Sequence, residues 1–407
     1  MRFLFLGLLL AACAASVVNP AESVEDGPQK PPLFRLAAAS LYDAGFQHGR
    51  SAAARIKKWY MSPEIRKLRA FISGRGREAF ETLKRNNSEA YPQYVDELHG
   101  IADGSGLGVD AIWALNMLSE MELLMGQRPT HCSDIYAVAP GGYSEGFSHG
   151  HNEDWPGPVS SLWYFVELVP LPGANFEYCA GMSYPGNIMG WAVTWNGYGT
   201  YLTQNALFPK TTRPFGILSA FAQRDALCGS AGRDGVDGAI ASLRKTVWSA
   251  GASINLVDIR ARRMSNVEIY ESRFAVTEVT EDMGNYSHFN MYKVLGSGSL
   301  DLPEPSTLHR QARVDELPPP RNGDDVAKRL SDSSDPSYPL FREMTLSTFL
   351  LDGATGRLEA WCCGRSPASG AAPAYNWSLG DPLRSGDGSR WPGSTSSGTD
   401  EVTILTI

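Results

Sequence analysis

One cysteine, Cys132, has a position and a neighbourhood that suit covalent catalysis. It precedes an apolar, strand-like run (residues 135–138), and the next strand ends in the polar cluster His151-Asn152-Glu153-Asp154-Trp155. A thiol nucleophile needs a base, an oxyanion-stabilising donor and an orienting group. A strand end beside the cysteine could supply such groups, so a nucleophile is one interpretation. From the local sequence alone, a small buried hydrophobe is the more common one.

The sequence around Cys132 does not identify the base. His131 is adjacent, but successive strand side chains point to opposite faces, so it is poorly placed to serve its neighbour. A conventional cysteine–histidine hydrolase would depend on His151 or His288 instead. An interpretation from another class is a secreted binding or scaffold protein that keeps the fold and never cleaves. These interpretations remain open at this point.

Composition limits the class of protein. The chain has 407 residues, of which 43% are hydrophobic and 20% charged, with a formal net charge of -8. These values are typical of a folded protein with a large core. Partners such as nucleic acid or an anionic membrane surface favour basic patches, so the acidic balance argues against both.

The N-terminus predicts a targeting signal. Arg2 precedes the short apolar run FLFLGLLLAACAA, and residues 1–20 have the layout of a signal peptide. LAAC, which ends at Cys13, would also suit bacterial lipoprotein processing. We therefore predict a secreted protein, or one in the lumen of the secretory pathway or lysosome. Three sequons would carry glycans in a eukaryotic secretory pathway, at Asn86, Asn285 and Asn376.

The remaining cysteines agree with an oxidising compartment. Five lie beyond the signal, so one thiol stays unpaired, and we predict that this is Cys132. The other four allow two bridges with three connectivities, although the adjacent Cys362 and Cys363 would rarely pair with each other. No pair has zinc-type spacing, so we predict no metal and no cofactor.

The order of elements predicts an α+β fold. After a linker (residues 21–37), residues 38–131 have mostly helical periodicity; residues 132–363 are rich in short, β-branched and aromatic segments. Helices interrupt the second part near residues 214–226 and 236–247. Residues 314–338 are interpreted as a surface loop, and residues 364–407 as a low-complexity, loosely packed tail. Cys132 lies at the junction of the two parts.

Several short motifs occur in an order that resembles one enzyme family. The relevant segments are YDAGFQHG, YVDELHGIADGSGLGVDAIWALNMLSEM, HCS followed by GHNEDW, WAVTWNGYGTYLTQNAL, SINLVDI, SHFNMY and STLHRQAR. Together they resemble the penicillin acyltransferase (acyl-coenzyme A:6-aminopenicillanic acid acyltransferase) family of N-terminal nucleophile (Ntn) cysteine amidohydrolases. That family is related to the bile-salt hydrolases and acid ceramidase. The resemblance extends over most of residues 38–362.

The resemblance implies a four-layer αββα fold and a precursor that cuts itself between His131 and Cys132. The mature enzyme would be a heterodimer of its own two chains, and whether these heterodimers assemble further stays open. The new α-amino group of Cys132 would be the general base for its own thiol. This is chemically reasonable, because an α-amine titrates near 7.7–8.0 and a thiol near 8.5.

The family's site residues are carried over where the motifs match. Asp154 would orient the nucleophile, and Asn255 would stabilise the oxyanion. Asn205 matches a second asparagine that faces the site, and Arg310 matches the arginine near the nucleophile. Asn152 and Trp155 are expected to shape the site. His131 stands where the family usually has Gly, and Met291 where a second histidine is common.

These observations lead to one functional prediction. The chain would attack a linear amide through an acyl-Cys132 thioester and pass the acyl group to water or to an amine. The substrate would be a small amide or acyl thioester, with N-acyl amino acids, acyl-amines, β-alanyl amines and lipid amides all open. The alternative is the uncut, inactive scaffold of the same fold.

Overall fold

The computed structural model describes residues 29–128 and 132–380. Its N-terminal part is a strand followed by a helical layer: β1 (Leu33–Ala38), α1 (Leu41–Ser51), α2 (Ala53–Tyr60), α3 (Pro63–Ser73), α4 (Arg77–Ala90), α5 (Pro92–Ser105), α6 (Val109–Asn116) and α7 (Leu118–Leu124). Helix starts follow local signals, since Ser40 accepts a hydrogen bond from the Asp43 amide and Ser62 from that of Ile65. The helical periodicity predicted for residues 38–131 agrees with α1 to α7. The linker prediction is wrong for residues 33–37, because β1 pairs in parallel with a strand far along the chain.

The larger sheet, sheet A, contains eight strands in the order β1-β4-β5-β6-β7-β8-β9-β10. Its further strands are β4 (Tyr164–Pro170), β5 (Cys179–Ser183), β6 (Thr194–Asn196), β7 (Thr200–Leu207), β8 (Gly251–Asp258), β9 (Arg263–Tyr270) and β10 (Arg273–Glu278). Apart from the parallel pair β1–β4, neighbours run antiparallel. From β4 to β10, strands that follow one another in the chain are neighbours in the sheet, although residues 208–250 separate β7 from β8.

The second sheet, sheet B, contains six strands in the order β11-β2-β3-β12-β13-β14. They are β2 (Ser133–Val138), β3 (Phe147–Asp154), β11 (Asn285–His288), β12 (Thr345–Asp352), β13 (Arg357–Cys362) and β14 (Tyr375–Ser378). β2 and β3 form a hairpin in which Ser133 pairs with Asn152. Both strands lie inside the sheet and are buried at every position.

Four further helices cover the two sheets: α8 (Ser219–Cys228), α9 (Gly235–Leu243), α10 (Pro305–Glu316) and α11 (Gly323–Leu330). α8 and α9 contact sheet A, whereas α10 and α11 contact sheet B. Between the sheets, the ring of Phe165 lies 6.0 Å from that of Phe349, and the ring of Trp195 lies 4.6 Å from that of Trp377. The layers are therefore helix, sheet, sheet and helix, which confirms the predicted αββα fold.

Two regions predicted to be irregular contain regular elements. The predicted loop 314–338 holds the end of α10 and all of α11, whose Val326 and Leu330 pack into a core cluster with Ile135. The described part of the predicted tail contains β14. Its aromatic residues pack into the core: Trp377 lies 4.9 Å from Phe165 between ring centroids. In both regions a few apolar side chains are buried against distant parts of the chain, and this burial stabilises regular structure although the composition is polar.

The cysteines form one disulfide among the described residues, between Cys179 of β5 and Cys228 of α8. Cys132 is free, as predicted, and so are Cys362 and Cys363. The bridge ties sheet A to its helical layer. Among the described residues, no helix is both long and apolar enough to cross a lipid bilayer.

Candidate active site

The backbone of Cys132 is held on both sides. Arg310, from α10, donates from Nη1 to the Cys132 carbonyl at 2.6 Å and from Nη2 to Asn290 Oδ1 at 2.8 Å. The same Asn290 oxygen accepts the Cys132 backbone N–H at 3.1 Å. Burial, reinforced by nearby Arg342, lowers the pKa of Arg310 to about 9. The arginine and the asparagine thus fix the residue that the sequence identifies as the nucleophile.

The Cys132 thiol faces the space between the sheets. Side chains alternate along β2 and β3, so residues 132, 134 and 136 share one face with residues 149, 151 and 153. The Cys132 sulfur, a His151 ring nitrogen and a Glu153 carboxylate oxygen all lie within 4.8 Å of one another. Burial raises the pKa of the thiol, and the carboxylates of Glu153 and Asp134 raise it further. The resting thiol is therefore neutral.

His151 is held by a carboxylate at each ring nitrogen. Its Nδ1 lies 2.9 Å from Asp134 and its Nε2 lies 2.9 Å from Glu153. Tyr184 donates to the other oxygen of Glu153 at 2.5 Å. Burial alone would lower the pKa of His151, but the two carboxylates outweigh burial and raise it to about 10. The imidazole is consequently protonated at neutral pH.

Asp134 connects this cluster to sheet A. It accepts hydrogen bonds from Thr203 at 2.5 Å and Asn205 at 2.6 Å. Burial would raise the pKa of Asp134, but His151 and His149 hold it well below its usual value. A buried anion of this kind is stable only because every side of it is paired.

The two asparagines predicted to serve the oxyanion lie in the same polar network. Asn205 binds Asp134, and Asn255 donates to Asn205 Oδ1 at 3.0 Å. The Asn255 oxygen accepts from Tyr136 at 2.6 Å and Asn266 at 2.8 Å. Among the described residues, no hydrogen bond joins either amide to Cys132. The oxyanion role of Asn255 thus stays a prediction, and the contacts of Asn205 are those of a buried anchor.

Asp154 lies on the opposite face of β3 from the thiol. Its Oδ1 accepts from Thr345 at 2.6 Å, and its Oδ2 lies 3.2 Å from Nε of Arg342. Burial raises the pKa of Asp154, while Arg342 and Thr345 oppose that shift. The carboxylate acts on Cys132 as a nearby charge. Its predicted contact with the nucleophile is taken by Glu153, because neighbouring residues of a strand point to opposite faces.

Asn152 does not face the site, which corrects its prediction as a substrate-binding residue. Its Nδ2 donates to the carbonyls of Leu330 and Leu340, both at 2.9 Å, and its oxygen accepts from Thr348 at 2.7 Å. These hydrogen bonds join β3 to α11, to the segment that contains Leu340 and to β12. Asn152 is therefore a structural anchor for the helical layer of sheet B.

Trp155 lies beside the cluster around Cys132, and its expected role in shaping the site stays a prediction. Its ring packs against Tyr184, at 4.9 Å between centroids, and Trp191, at 5.5 Å. It lines a cavity of about 610 Å³ together with Ser306, Tyr338 and Arg342. This volume is in the range of small-molecule sites. Because Trp155 packs against Tyr184, which donates to Glu153, one wall of the cavity borders the cluster around Cys132.

The sulfur, imidazole and carboxylate donors of Cys132, His151 and Glu153 have the chemistry of a zinc site. Asp134 on the far nitrogen of His151 resembles the carboxylate that orients metal-binding histidines. The sequence analysis predicted no metal, because the spacing of the cysteines does not show that Cys132, His151 and Glu153 lie close together. His151 is protonated, however, and a carboxylate holds each of its ring nitrogens, so the imidazole has no lone pair for a metal in this arrangement.

Other predictions fall outside the described residues. These are the signal peptide, Cys13, His131 and the bond before Cys132. Of the three sequon asparagines, Asn376 is exposed, and Asn86 and Asn285 are partly buried.

Sequence reasoning did not assign roles to four residues at the site. Glu153 received no role because its neighbour Asp154 matched the family motif. The alternation of side chains along β3 could have shown that Glu153 faces the same side as Cys132. Asn290 lies in a segment that was recognised without a role. Tyr184 and Arg342 lie outside the motifs of the family resemblance, and tertiary structure brings each of them to the site.

No family model matches the chain. The chain is 26% identical over 330 residues to a β-alanyl-dopamine/carcinine hydrolase of Drosophila melanogaster, an alignment that covers 74% of this chain and 83% of the relative. It is 26% identical over 195 residues to an acyl-coenzyme A:6-aminopenicillanic-acid-acyltransferase of Emericella nidulans, covering 46% of this chain and 50% of the relative.

Two solved structures were also found to be similar. One is a Caenorhabditis elegans ortholog of N-acylethanolamine-hydrolyzing acid amidase, with a TM-score of 0.40, 13% identity, and coverage of 55% of this chain and 93% of that chain. The other is the conjugated bile acid hydrolase of Clostridium perfringens, with a TM-score of 0.30, 10% identity, and coverage of 57% and 89%. The two sequence relatives confirm the resemblance that the motifs indicate.

Proposed function

We propose that this chain, a relative of Ntn amide hydrolases and acyltransferases, is a self-processing cysteine amidohydrolase with Cys132 as its nucleophile. One observation carries the proposal: the Cys132 backbone is clamped by Arg310 and Asn290, while its thiol faces a charged cluster beside a cavity. Homology to acyl-transferring enzymes points the same way.

The proposed base is the α-amine that cleavage before Cys132 would release. The backbone nitrogen already donates to Asn290 Oδ1, so the asparagine would keep the new amine in place. The amine accepts the thiol proton as the sulfur attacks the amide carbonyl, and an acyl-Cys132 thioester forms. The ammonium then returns a proton to the departing amine. Water, or a second amine, attacks the thioester and frees the cysteine.

His151 is a poor candidate for this base despite its position. With a pKa of about 10 it is protonated at neutral pH and has no lone pair to offer. Its charge instead balances Glu153 and would stabilise a developing thiolate. This favours the amine over a conventional cysteine–histidine mechanism.

The test is intact mass and N-terminal sequencing of the purified protein beside its Cys132→Ala variant. We expect two chains from the parent, the larger beginning at Cys132, and one uncut chain from the variant. Cys362→Ala, which removes another buried free cysteine, is the matched control and should be cut like the parent. A parent that stays uncut would favour the inactive scaffold. Release of amines from a panel of N-acyl substrates then identifies the reaction.

The proposed place of action is outside the cytosol. The disulfide between Cys179 and Cys228 supports this, because such bonds persist in oxidising compartments. Processing of the signal at residues 1–20 would be visible in the same N-terminal sequencing, as the start of the smaller chain.

A further inference from the structure

The cavity beside the active site contains an arginine that no step of the proposed mechanism uses. Arg342 lines the cavity with Trp155 and Tyr338, and its side chain is only 9% exposed. The cavity borders the cluster around Cys132 through Trp155, whose ring packs against Tyr184, the hydrogen-bond donor to Glu153. The question is which chemical group this arginine meets.

The Arg342 guanidinium is only partly satisfied within the protein. Its Nε lies 3.2 Å from Asp154 Oδ2, and Nη1 donates to Ser306 Oγ at 3.2 Å. Its Nη2 is buried and has no hydrogen-bond partner among the described residues. A guanidinium presents five N–H donors in a planar fork, and a buried donor without an acceptor is unfavourable. The vacant side of the fork therefore suits an anionic acceptor.

The charges around the cavity also favour an anion over a cation. Arg310 places a second guanidinium close enough to affect Arg342 electrostatically. Asp154 pairs with Arg342 and also interacts electrostatically with Arg310. Glu343 also lines the cavity, but it is exposed, so solvent screens its charge. Asp154 Oδ2 and Arg342 Nε also lack a hydrogen bond, but they face each other as an ion pair, which leaves Arg342 Nη2 as the buried donor that a ligand could satisfy.

We infer that Arg342 binds a carboxylate of the substrate, which makes N-acyl amino acids the preferred class over acyl-amines. The inference rests on the proposed amidohydrolase function. Planar carboxylates match the guanidinium fork, and Trp155 and Tyr338 would pack against the side chain of the amino acid.

Matched substrates that differ by one carboxylate test the inference. N-acyl-tyrosine and N-acyl-tyramine with the same acyl group are compared by kcat/KM in the parent, Arg342→Met and Arg342→Lys proteins. We expect the parent to prefer the tyrosine compound by at least about tenfold, mainly through KM. Arg342→Met should abolish the preference and Arg342→Lys should keep part of it. Arg329→Met, which removes a buried arginine of α11 outside the cavity, should keep it in full.

Binding to an inactive protein separates this inference from the proposed function. Calorimetry with N-acyl-tyrosine and N-acyl-tyramine uses the Cys132→Ala protein with and without Arg342→Met. Tighter binding of the tyrosine compound that disappears with Arg342→Met supports the inference, even if no amide is cleaved. Equal binding of both compounds, or tighter binding of the tyramine compound, overturns it and leaves the proposed function to its own test.

Discussion

At the scale of single residues, the site is defined by which side chains share a face. Glu153 and His151 meet the Cys132 thiol, while Asp154 points to the other side of the same strand. The charges within this cluster are mutually dependent. Removing one member leaves the others buried without a partner, so each residue contributes to stability as well as to chemistry.

The pKa of His151 leads to a prediction about pH and stability. Its value in the folded protein is about 10, above the ordinary 6.5 of the unfolded chain. The ion pairs of protonated His151 therefore stabilise the folded state fully below pH 6.5, and this contribution to the free energy of unfolding is lost as the pH rises towards 10. In the Cys132→Ala background, His151→Gln should lower the free energy of unfolding most near pH 6, and the difference should shrink towards pH 10. Urea unfolding across this range measures it, and a difference that does not change with pH contradicts the assignment.

Substitution of His151 also distinguishes the α-amine mechanism from the cysteine–histidine mechanism. If the α-amine is the base, His151→Gln should retain measurable amidase activity at a reduced level in the protein that has been cut. Complete loss of activity in a folded, cut variant would favour the cysteine–histidine mechanism instead. Circular dichroism and intact mass of the same sample show whether the variant has folded and been cut.

At the scale of elements, glycine determines how closely α1 and α5 approach. A Cβ at Gly100 would lie 2.2 Å from the Tyr42 carbonyl oxygen, and one at Gly45 would lie 2.2 Å from that of Glu97. Both neighbours are backbone atoms, which cannot turn away. These glycines belong to the first two motifs of the family resemblance, so their physical role is helix packing.

Gly100→Ala should therefore destabilise the protein although alanine is the better helix former. Overpacking costs about 1–3 kcal/mol, against a gain of about 1 kcal/mol from helix propensity. Gly108→Ala is the matched control, since nothing lies within 4 Å of its added Cβ. Urea unfolding should show a lower free energy of unfolding for Gly100→Ala only. An unchanged value for Gly100→Ala would mean that the two helices can separate freely.

At the scale of the whole molecule, the helical part and the part that follows Cys132 form one structure. β1 pairs with β4 over six residues. Arg35 lies 2.8 Å from Glu167, and Glu97 lies 3.1 Å from Arg224, with all four side chains buried. None of these contacts involves the bond before Cys132.

We accordingly predict that the two chains stay together after cleavage. Processed protein should elute as a single peak in size-exclusion chromatography under native conditions and separate into two chains only in denaturant. Separation under native conditions would contradict the packing of β1 against β4.

The disulfide should contribute to the stability of this assembly. It closes a separation of 49 residues, and removal of such a bridge costs about 2–4 kcal/mol. The double variant Cys179→Ala/Cys228→Ala should unfold at lower urea concentration than the parent, whereas Cys362→Ala should not share that shift of the midpoint. Equal midpoints for the parent and the double variant would show that the bridge is dispensable.

The sequence by itself determined the features that depend on local patterns. Helical periodicity and caps such as Ser40 identified the N-terminal helices, and alternating strands after Cys132 predicted the α+β class. The order of short motifs indicated the αββα fold, the family and the candidate nucleophile. These signals are readable because they arise within a few consecutive residues.

Only the tertiary structure decided which groups meet. β1, α11 and β14 form because distant partners bury them, so their own composition predicted linker, loop and tail. Asn152 turned out to be an anchor, and Glu153 replaced Asp154 at the thiol. Arg342 entered the site from a segment with no motif. Such contacts depend on strand order, face and register, which are set by packing between residues far apart in the chain.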